Sequence, residues 1–217
     1  MAPAPMPRLI IIRHGETEWS LNGRHTGTSD IPLTARGQEQ IKSKAQSLVG
    51  EGKLVDTVNL CTVFVSPRQR AHKTFHLLFD HLPELPSHII TESVREWDYG
   101  EYEGLLPSEI KAKKADWTIW RDGCPGGESA EDMVARVDGV IDDVRKYHRR
   151  WKEEGQGTRD VVVVAHGHFN RCLLARWIKL PLAHGTFFNV KPAGIAVLSY
   201  NHGSLDEPAL NALNLNA

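Results

Sequence analysis

The feature that most constrains the fold is an apolar run from Asp160 to Ala165, with the sequence Asp-Val-Val-Val-Val-Ala. A strand with one solvated face alternates apolar and polar residues, whereas this run is apolar at successive positions. Both of its faces are therefore expected to be covered, as in a parallel sheet between layers of helices. Similar runs at Leu9 to Ile12 and Leu60 to Val65 predict two further buried strands.

Amphipathic helices are predicted between these strands. One is capped by Thr34 and continues to Val49, and a longer one is capped by Ser129. The alternation of strands and helices predicts an α/β fold, a three-layer α/β/α sandwich with a central, mostly parallel sheet. We expect residues 1–217 to form a single domain and the repetitive segment 211–217 to be a frayed tail.

The charge balance excludes some classes of partner. Lys and Arg total 26, Asp and Glu total 27, and the net charge is -1. This balance argues against a nucleic-acid or membrane-surface binder. The three cysteines are odd in number and far apart, which is typical of free thiols in a reducing compartment. We therefore expect a cytoplasmic protein with neither nucleic acid nor membrane as a partner; the sequence leaves homo-oligomer formation open.

Two predicted strands end in a histidine followed by a glycine. The first ends in Arg13-His14-Gly15 and the Val-rich one in His166-Gly167. In open α/β sheets, ligands bind beyond the carboxyl ends of the strands, so neighbouring strands would place both imidazoles in one pocket. The guanidinium of Arg13 can donate two parallel hydrogen bonds to an oxyanion. Phosphate is therefore the leading candidate for the ligand.

A metal site is the competing interpretation of these histidines. His166 and His168 are two residues apart at a strand end, so their side chains need not point the same way. No cysteine pair or His-x-x-x-His spacing lies beside them. We expect no metal and no other cofactor.

Several motifs follow one another from Arg13 to about Arg171. They are Arg13-His14-Gly15-Glu16-Thr17, Arg24-His25-Thr26-Gly27, Ser66-Pro67-Arg68-Gln69-Arg70-Ala71-His72-Lys73-Thr74, Glu96-Trp97-Asp98-Tyr99-Gly100 and His166-Gly167-His168. In content and order they resemble the histidine phosphatase superfamily, also called phosphoglycerate-mutase-like proteins. The resemblance implies the same α/β/α fold.

The resemblance also implies roles for individual residues. His14 would attack phosphorus and form a phosphohistidine, with Arg13, Arg70 and His166 around the phosphoryl group. Glu96 would act as general acid and then as base. Further substrate contacts would come from Ser20, Arg24, Thr26, Gly27, Tyr99, Gly167 and His168. These roles agree with the chemistry of the side chains. An imidazole with an unperturbed pKa of about 6.5 is largely neutral, and therefore nucleophilic, at neutral pH. Preorganised cations stabilise a phosphoryl group during its transfer.

One position separates the activities of this superfamily. Similar mutases carry Arg directly after the acidic-box Glu, where this chain has Trp97. This difference favours a phosphatase over a mutase. With no metal expected and with the resemblance below, we expect a metal-independent phosphatase that acts on a small phosphorylated sugar. The segment Arg95 to Gly104 resembles that of fungal sedoheptulose-1,7-bisphosphatases, although the chain between Trp177 and Val197 is shorter than in them. A phosphoglycerate mutase or broad-specificity acid-type phosphatase is the alternative, and a non-catalytic phospho-ligand binder a second.

Overall fold

The computed structural model describes residues 5–215. Its centre is a six-stranded sheet with the order β3-β2-β4-β1-β5-β6. The strands are β1 (Leu9–Arg13), β2 (Leu60–Val65), β3 (His88–Ile90), β4 (Asp160–Ala165), β5 (Ile195–Tyr200) and β6 (Pro208–Leu215). The four strands from β3 to β1 are parallel, whereas β5 is antiparallel to both β1 and β6. The prediction of a mostly parallel central sheet is confirmed.

Helices cover both faces of this sheet. They are α1 (Glu18–Asn22), α2 (Ala35–Leu48), α3 (Gln69–Phe79), α4 (Pro107–Lys113), α5 (Ile119–Asp122), α6 (Ala130–Glu154) and α7 (Gly167–Trp177). Leu9 and Ile11 pack in the apolar cluster that contains α6 and α7, while Ile10 and Ile12 pack in the cluster that contains α2 and α3. The residues of β4 alternate in the same way. The apolar runs therefore serve two cores, one on each side of the sheet.

The helix caps expected from the sequence are present. The side chain of Thr34 accepts a hydrogen bond from Gly37 N at the start of α2. Ser129 and Asp132 form a reciprocal capping box at the start of α6. At the start of α7, His166 takes the N-cap position directly after β4, and the helix begins at Gly167.

The prediction that residues 211–217 form a frayed tail is wrong for residues 211–215. They belong to β6, which pairs antiparallel with β5 from Tyr200↔Pro208 to Ile195↔Leu215. Leu210 and Leu213 pack against the α6/α7 core and Leu215 against the other. Composition predicted a loose end, but pairing with β5 and partial burial of leucines order it. Residues 216 and 217 lie outside the described part of the chain.

Two further observations concern the cysteines and the apolar character of the helices. Cys61, Cys124 and Cys172 are all free thiols. Among residues 5–215, none of the helices combines the length and the apolar character that crossing a bilayer requires.

His148 on α6 is a fully buried imidazole. Its ring makes edge contacts with Trp177 and Tyr200, and its Nδ1 lies 2.7 Å from the Tyr200 hydroxyl. Burial lowers its pKa from 6.5 to about 3. The unfolded chain therefore binds a proton at this residue over a pH range in which the folded chain does not.

This difference makes the stability of the fold pH-dependent. The free energy of unfolding should fall by about 1.4 kcal/mol per pH unit on account of His148, from just below pH 6.5 down to about pH 3. In His148→Phe that contribution disappears, so urea unfolding measured between pH 7 and pH 4 should show a shallower loss of stability. Tyr200→Phe removes the partner hydroxyl but keeps the imidazole, and should retain the wild-type slope. Equal slopes in wild type and His148→Phe would contradict the account.

Candidate active site

A cavity of about 210 Å³ lies beyond the carboxyl ends of β1 and β4. Predicted site residues that line it are Arg13, His14, Ser20, Arg24, Thr26, Glu96, Tyr99, Gly167 and His168. The register explains the convergence: Arg13 pairs with Ala165, and His14 N donates to Ala165 O at 2.9 Å. The expected strand-end pocket is therefore formed where two parallel strands stop side by side.

The imidazole of His14 is fixed by the next peptide. Its Nδ1 lies 2.7 Å from the carbonyl oxygen of Gly15, and because a carbonyl only accepts, Nδ1 carries the hydrogen. Burial, with the positive charges of Arg70 and Arg13, lowers the pKa of His14 well below 6.5. His14 is therefore neutral at neutral pH, with its lone pair on Nε2. At Gly15 there is little room for a side chain, since a Cβ there would lie 2.5 Å from Ile41 Cδ1 and 3.2 Å from Gly37 O.

His166 is the close neighbour of His14, with ring centroids 5.2 Å apart. Its Nδ1 accepts a hydrogen bond from Arg70 Nε, so its Nε2 carries the hydrogen and donates to Ser66 Oγ at 2.7 Å. Burial and the charge of Arg70 lower the pKa of His166 well below 6.5. This residue is fully buried next to His14, and its side chain is not among those that line the empty cavity.

Arg70 is also fully buried and away from the cavity lining. Besides His166, its guanidinium donates to the carbonyl oxygens of Thr26, Gly27 and Ser29. In this conformation Arg70 organises the loop beside the cavity and the tautomer of His166. Its charge still acts at short range, as the lowered pKa of His14 shows.

Gly27 was expected to touch the substrate, but it does not line the cavity. Its N–H, together with that of Ser29, donates to the carboxylate of Glu103. A Cβ at Gly27 would lie 2.3 Å from the carbonyl oxygen of Trp97. The glycine is therefore required for close chain packing, and Glu103 holds the loop whose carbonyls receive Arg70.

The guanidinium of Arg13 borders the cavity directly. Its Nη1 donates to Val190 O at 2.6 Å, and its plane packs against Gly167, where a Cβ would lie 3.3 Å from Cζ. The Nη2 group has no partner among the described residues and is open to the cavity. Arg13 can therefore donate to an oxyanion bound next to His14.

Glu96 sits at the N-terminus of α7. Its Oε1 accepts from the main-chain N–H groups of Trp97 and Phe169, at 2.9 and 2.8 Å, and its Oε2 accepts from that of His168 at 2.9 Å. The helix start, where N–H groups lack intrahelical partners, thus holds the carboxylate in a fixed orientation. Glu96 lines the same cavity as His14 although only 5% of its surface is exposed.

A further part of the cavity wall comes from α1 and the chain after it. The Ser20 hydroxyl completes a capping box with Thr17, donating to Thr17 O and accepting from Thr17 N. Arg24 Nη1 donates to Gly104 O at 2.7 Å, and Thr26 Oγ1 donates to Arg24 O. These residues line the cavity, so Ser20 contributes mainly by shaping this wall.

The cavity also has lining residues that the sequence did not assign to it. They include Trp19, His25, Arg171, Asn189 and Val190. Arg171 lies over the ring of Trp120 at 4.8 Å and donates to Gly185 O. Arg171 follows Gly167 by four residues, which is about one helical turn. This spacing could have predicted that Arg171 lies on the same face of α7 as the cavity. Asn189 and Val190 lie in a segment without periodicity, where no such signal exists.

Several ring nitrogens of the strand-end histidines already have protein partners. His166 is bonded to Ser66 and Arg70, whereas Nδ1 of His168 lies 2.7 Å from the Tyr99 hydroxyl. Across residues 5–215, no group of three or more His, Cys, Asp or Glu side chains is arranged to hold a metal ion.

Comparison with known proteins agrees with this geometry. Residues 9–214 match the histidine phosphatase superfamily (branch 1). An acid phosphatase of Mycobacterium tuberculosis is 39% identical over 196 residues, which cover 90% of this chain and 88% of that protein. The sedoheptulose 1,7-bisphosphatase of Saccharomyces cerevisiae is 34% identical over 252 aligned positions, covering 96% of this chain and 93% of the yeast enzyme.

A solved structure has the same fold. The product of an open reading frame of M. tuberculosis superposes with a TM-score of 0.80 at 34% identity, covering 96% of this chain and 97% of the other. The family match, the curated relatives and the solved structure therefore agree on the family and the fold. The chain belongs to the histidine phosphatase superfamily and is a phosphoric monoester hydrolase.

Proposed function

We propose that the protein hydrolyses a sugar phosphate or sugar bisphosphate, without a metal ion, through a phosphohistidine on His14. The observation that carries the proposal is the neutral imidazole of His14, which keeps a free lone pair on Nε2 beside the open guanidinium of Arg13. A nucleophile and a phosphate-binding cation thus meet in one cavity.

The reaction follows from these positions in two steps. Nε2 of His14 forms a bond to phosphorus while the bond from phosphorus to the sugar oxygen breaks. Glu96, on the same cavity wall, transfers a proton to the leaving oxygen. In the second step Glu96 takes a proton from water, whose oxygen attacks phosphorus and releases His14 and inorganic phosphate. Arg13 stabilises the negative charge of the phosphoryl oxygens in both steps.

The surroundings of Trp97 favour hydrolysis over a mutase reaction. Trp97 is fully buried, its indole Nε1 donates to Glu128 O at 2.9 Å, and it does not line the cavity. Where similar mutases place an Arg for the substrate carboxylate, this chain therefore offers packing and no cation. The carboxylate of a phosphoglycerate therefore lacks this partner, whereas a sugar phosphate, whose sugar part is uncharged, does not need it.

The yeast relative supports the sugar class and leaves the particular sugar open. Its name states activity on sedoheptulose 1,7-bisphosphate. The 252 aligned positions exceed the 217 residues of this chain, so the yeast enzyme has additional residues within the matched region. A smaller sugar phosphate is therefore compatible with the shorter chain. The M. tuberculosis relative, an acid phosphatase, supports broad specificity as the second candidate.

The phosphate-binding side of this cavity depends on the last strand. Asn214 of β6 donates to Asn189 O at 2.6 Å and accepts from Lys191 N at 2.9 Å. These two hydrogen bonds lie on either side of Val190, whose carbonyl oxygen accepts a hydrogen bond from the guanidinium of Arg13. Asn214 adopts a left-handed backbone (φ 58), which Asn tolerates better than most residues. The segment first taken for a frayed tail therefore holds the Arg13 anchor in place.

A panel of phosphate esters tests the proposed substrate class. We expect the best sugar phosphate to have a kcat/KM at least about tenfold above those of 3-phosphoglycerate and p-nitrophenyl phosphate, because sugar hydroxyls add contacts. Phosphate release should persist in EDTA and be blocked by orthovanadate. His14→Ala should lower kcat by at least about a thousandfold. Comparable rates on all esters would favour the acid-type phosphatase, and dependence on 2,3-bisphosphoglycerate would favour a mutase.

The role of the last strand has its own test. In Asn214→Ala two hydrogen bonds to the 189–191 segment are lost, so Arg13 should be held less firmly and the inhibition constant for orthovanadate should rise about five- to tenfold. Asn211→Ala alters an exposed Asn of the same strand and serves as the matched control, with an expected change below about twofold. Equal inhibition constants for the two variants would show that Asn214 does not act on the anion site.

A further inference from the structure

Two histidines that the proposed reaction does not use lie together on one wall of the cavity. His25 follows α1, and His168 lies in the first turn of α7. Their rings are stacked, with centroids 5.9 Å apart and planes inclined by 6°. Both residues line the cavity that contains His14 and Glu96.

The tautomer of His25 is set by a main-chain carbonyl. Its Nδ1 lies 3.0 Å from Leu105 O, and a carbonyl oxygen only accepts, so Nδ1 carries the hydrogen. In the neutral ring Nε2 is then an acceptor. That atom has no partner among residues 5–215 and is not sealed from solvent, so its lone pair is available to a ligand.

His168 has the opposite tautomer. Its Nδ1 lies 2.7 Å from the hydroxyl of Tyr99, which is buried and finds no other acceptor within the described chain. Burial raises the pKa of Tyr99 well above 10, so the phenol keeps its hydrogen and donates it to Nδ1. Nε2 of His168 therefore carries a hydrogen, has no partner among the described residues and is open to the cavity as a donor.

Neither ring carries a charge at neutral pH. Burial lowers the pKa of His25 even though Glu96 and Glu103 act in the opposite direction. Burial, Arg171 and His25 lower the pKa of His168 well below 6.5. The wall thus presents one neutral acceptor beside one neutral donor.

We propose that His25 and His168 form a donor–acceptor pair that recognises hydroxyl groups of the sugar part of the substrate. A hydroxyl both donates and accepts, so it can donate to Nε2 of His25 and accept from Nε2–H of His168. A carboxylate or second phosphate oxygen only accepts and would face the lone pair of His25. The pair therefore favours binding of sugar hydroxyl groups at this wall. A second anionic group of the substrate would bind Arg24 or Arg171 instead. This inference rests on the proposed sugar-phosphatase function and assigns part of its specificity.

The test compares one ratio between variants. The ratio is kcat/KM for the best sugar phosphate divided by kcat/KM for p-nitrophenyl phosphate, which has no sugar hydroxyl. In His25→Phe, which keeps an aromatic ring but no acceptor, the ratio should fall about tenfold or more. In His25→Gln, whose amide oxygen can accept, it should fall less. His88→Phe replaces an exposed histidine outside the cavity and should keep the wild-type ratio.

Each outcome has a definite meaning, provided that thermal unfolding shows each variant to be folded. A selective fall in His25→Phe, with partial recovery in His25→Gln, supports the pair. An equal loss on both substrates, or no loss, overturns it and leaves the proposed function standing. Wild-type turnover of p-nitrophenyl phosphate without any turnover of sugar phosphates would overturn the proposed function, and the pair with it.

Discussion

The site depends first on the parallel register between β1 and β4. Arg13 lies opposite Ala165, and His14 N donates to Ala165 O, so both strands end at the same level of the sheet. The next residue of each strand end is a histidine, and the two rings come within 5.2 Å without any loop having to bring them together. A slip by one residue would turn one imidazole towards the opposite face. In the observed register, Val161 and Val163 pack in one core, and Val162 and Val164 pack in the other.

A second constraint is the burial of neutral imidazoles next to guanidinium groups. The pKa values of His14 and His166 are lowered by burial and by Arg70, so neither ring adds a positive charge to a site already rich in cations. Carbonyl oxygens accept part of the guanidinium hydrogen bonds: Val190 O accepts from Arg13 Nη1, and the loop held by Glu103 accepts from Arg70. Hydrogen bonds thus fix each tautomer, and a preorganised environment of this kind is what phosphoryl transfer requires.

The sequence predicted the architecture well because apolar runs and caps are local signals. The strands β1, β2 and β4, the caps Thr34 and Ser129, and the two strand-end histidines all follow from a few neighbouring residues. Positions that depend on distant partners were not predictable in this way. The motifs indicate Gly27 and Arg70 as site residues, but their contacts with Glu103, Trp97 and main-chain carbonyls join segments far apart in the sequence. The order of residues 211–215 likewise comes from β5, which no local pattern at the C-terminus reveals.

Trapping the covalent intermediate tests the central claim most directly. Rapid acid-free quenching during turnover of a phosphate ester, followed by peptide mass spectrometry and ³¹P NMR, should find one phosphoryl group on Nε2 of His14. The linkage should be labile in acid and stable in base, as a phosphoramidate is. Rapid turnover without any phosphorylated His14, or with the phosphoryl group on another residue, would contradict the account.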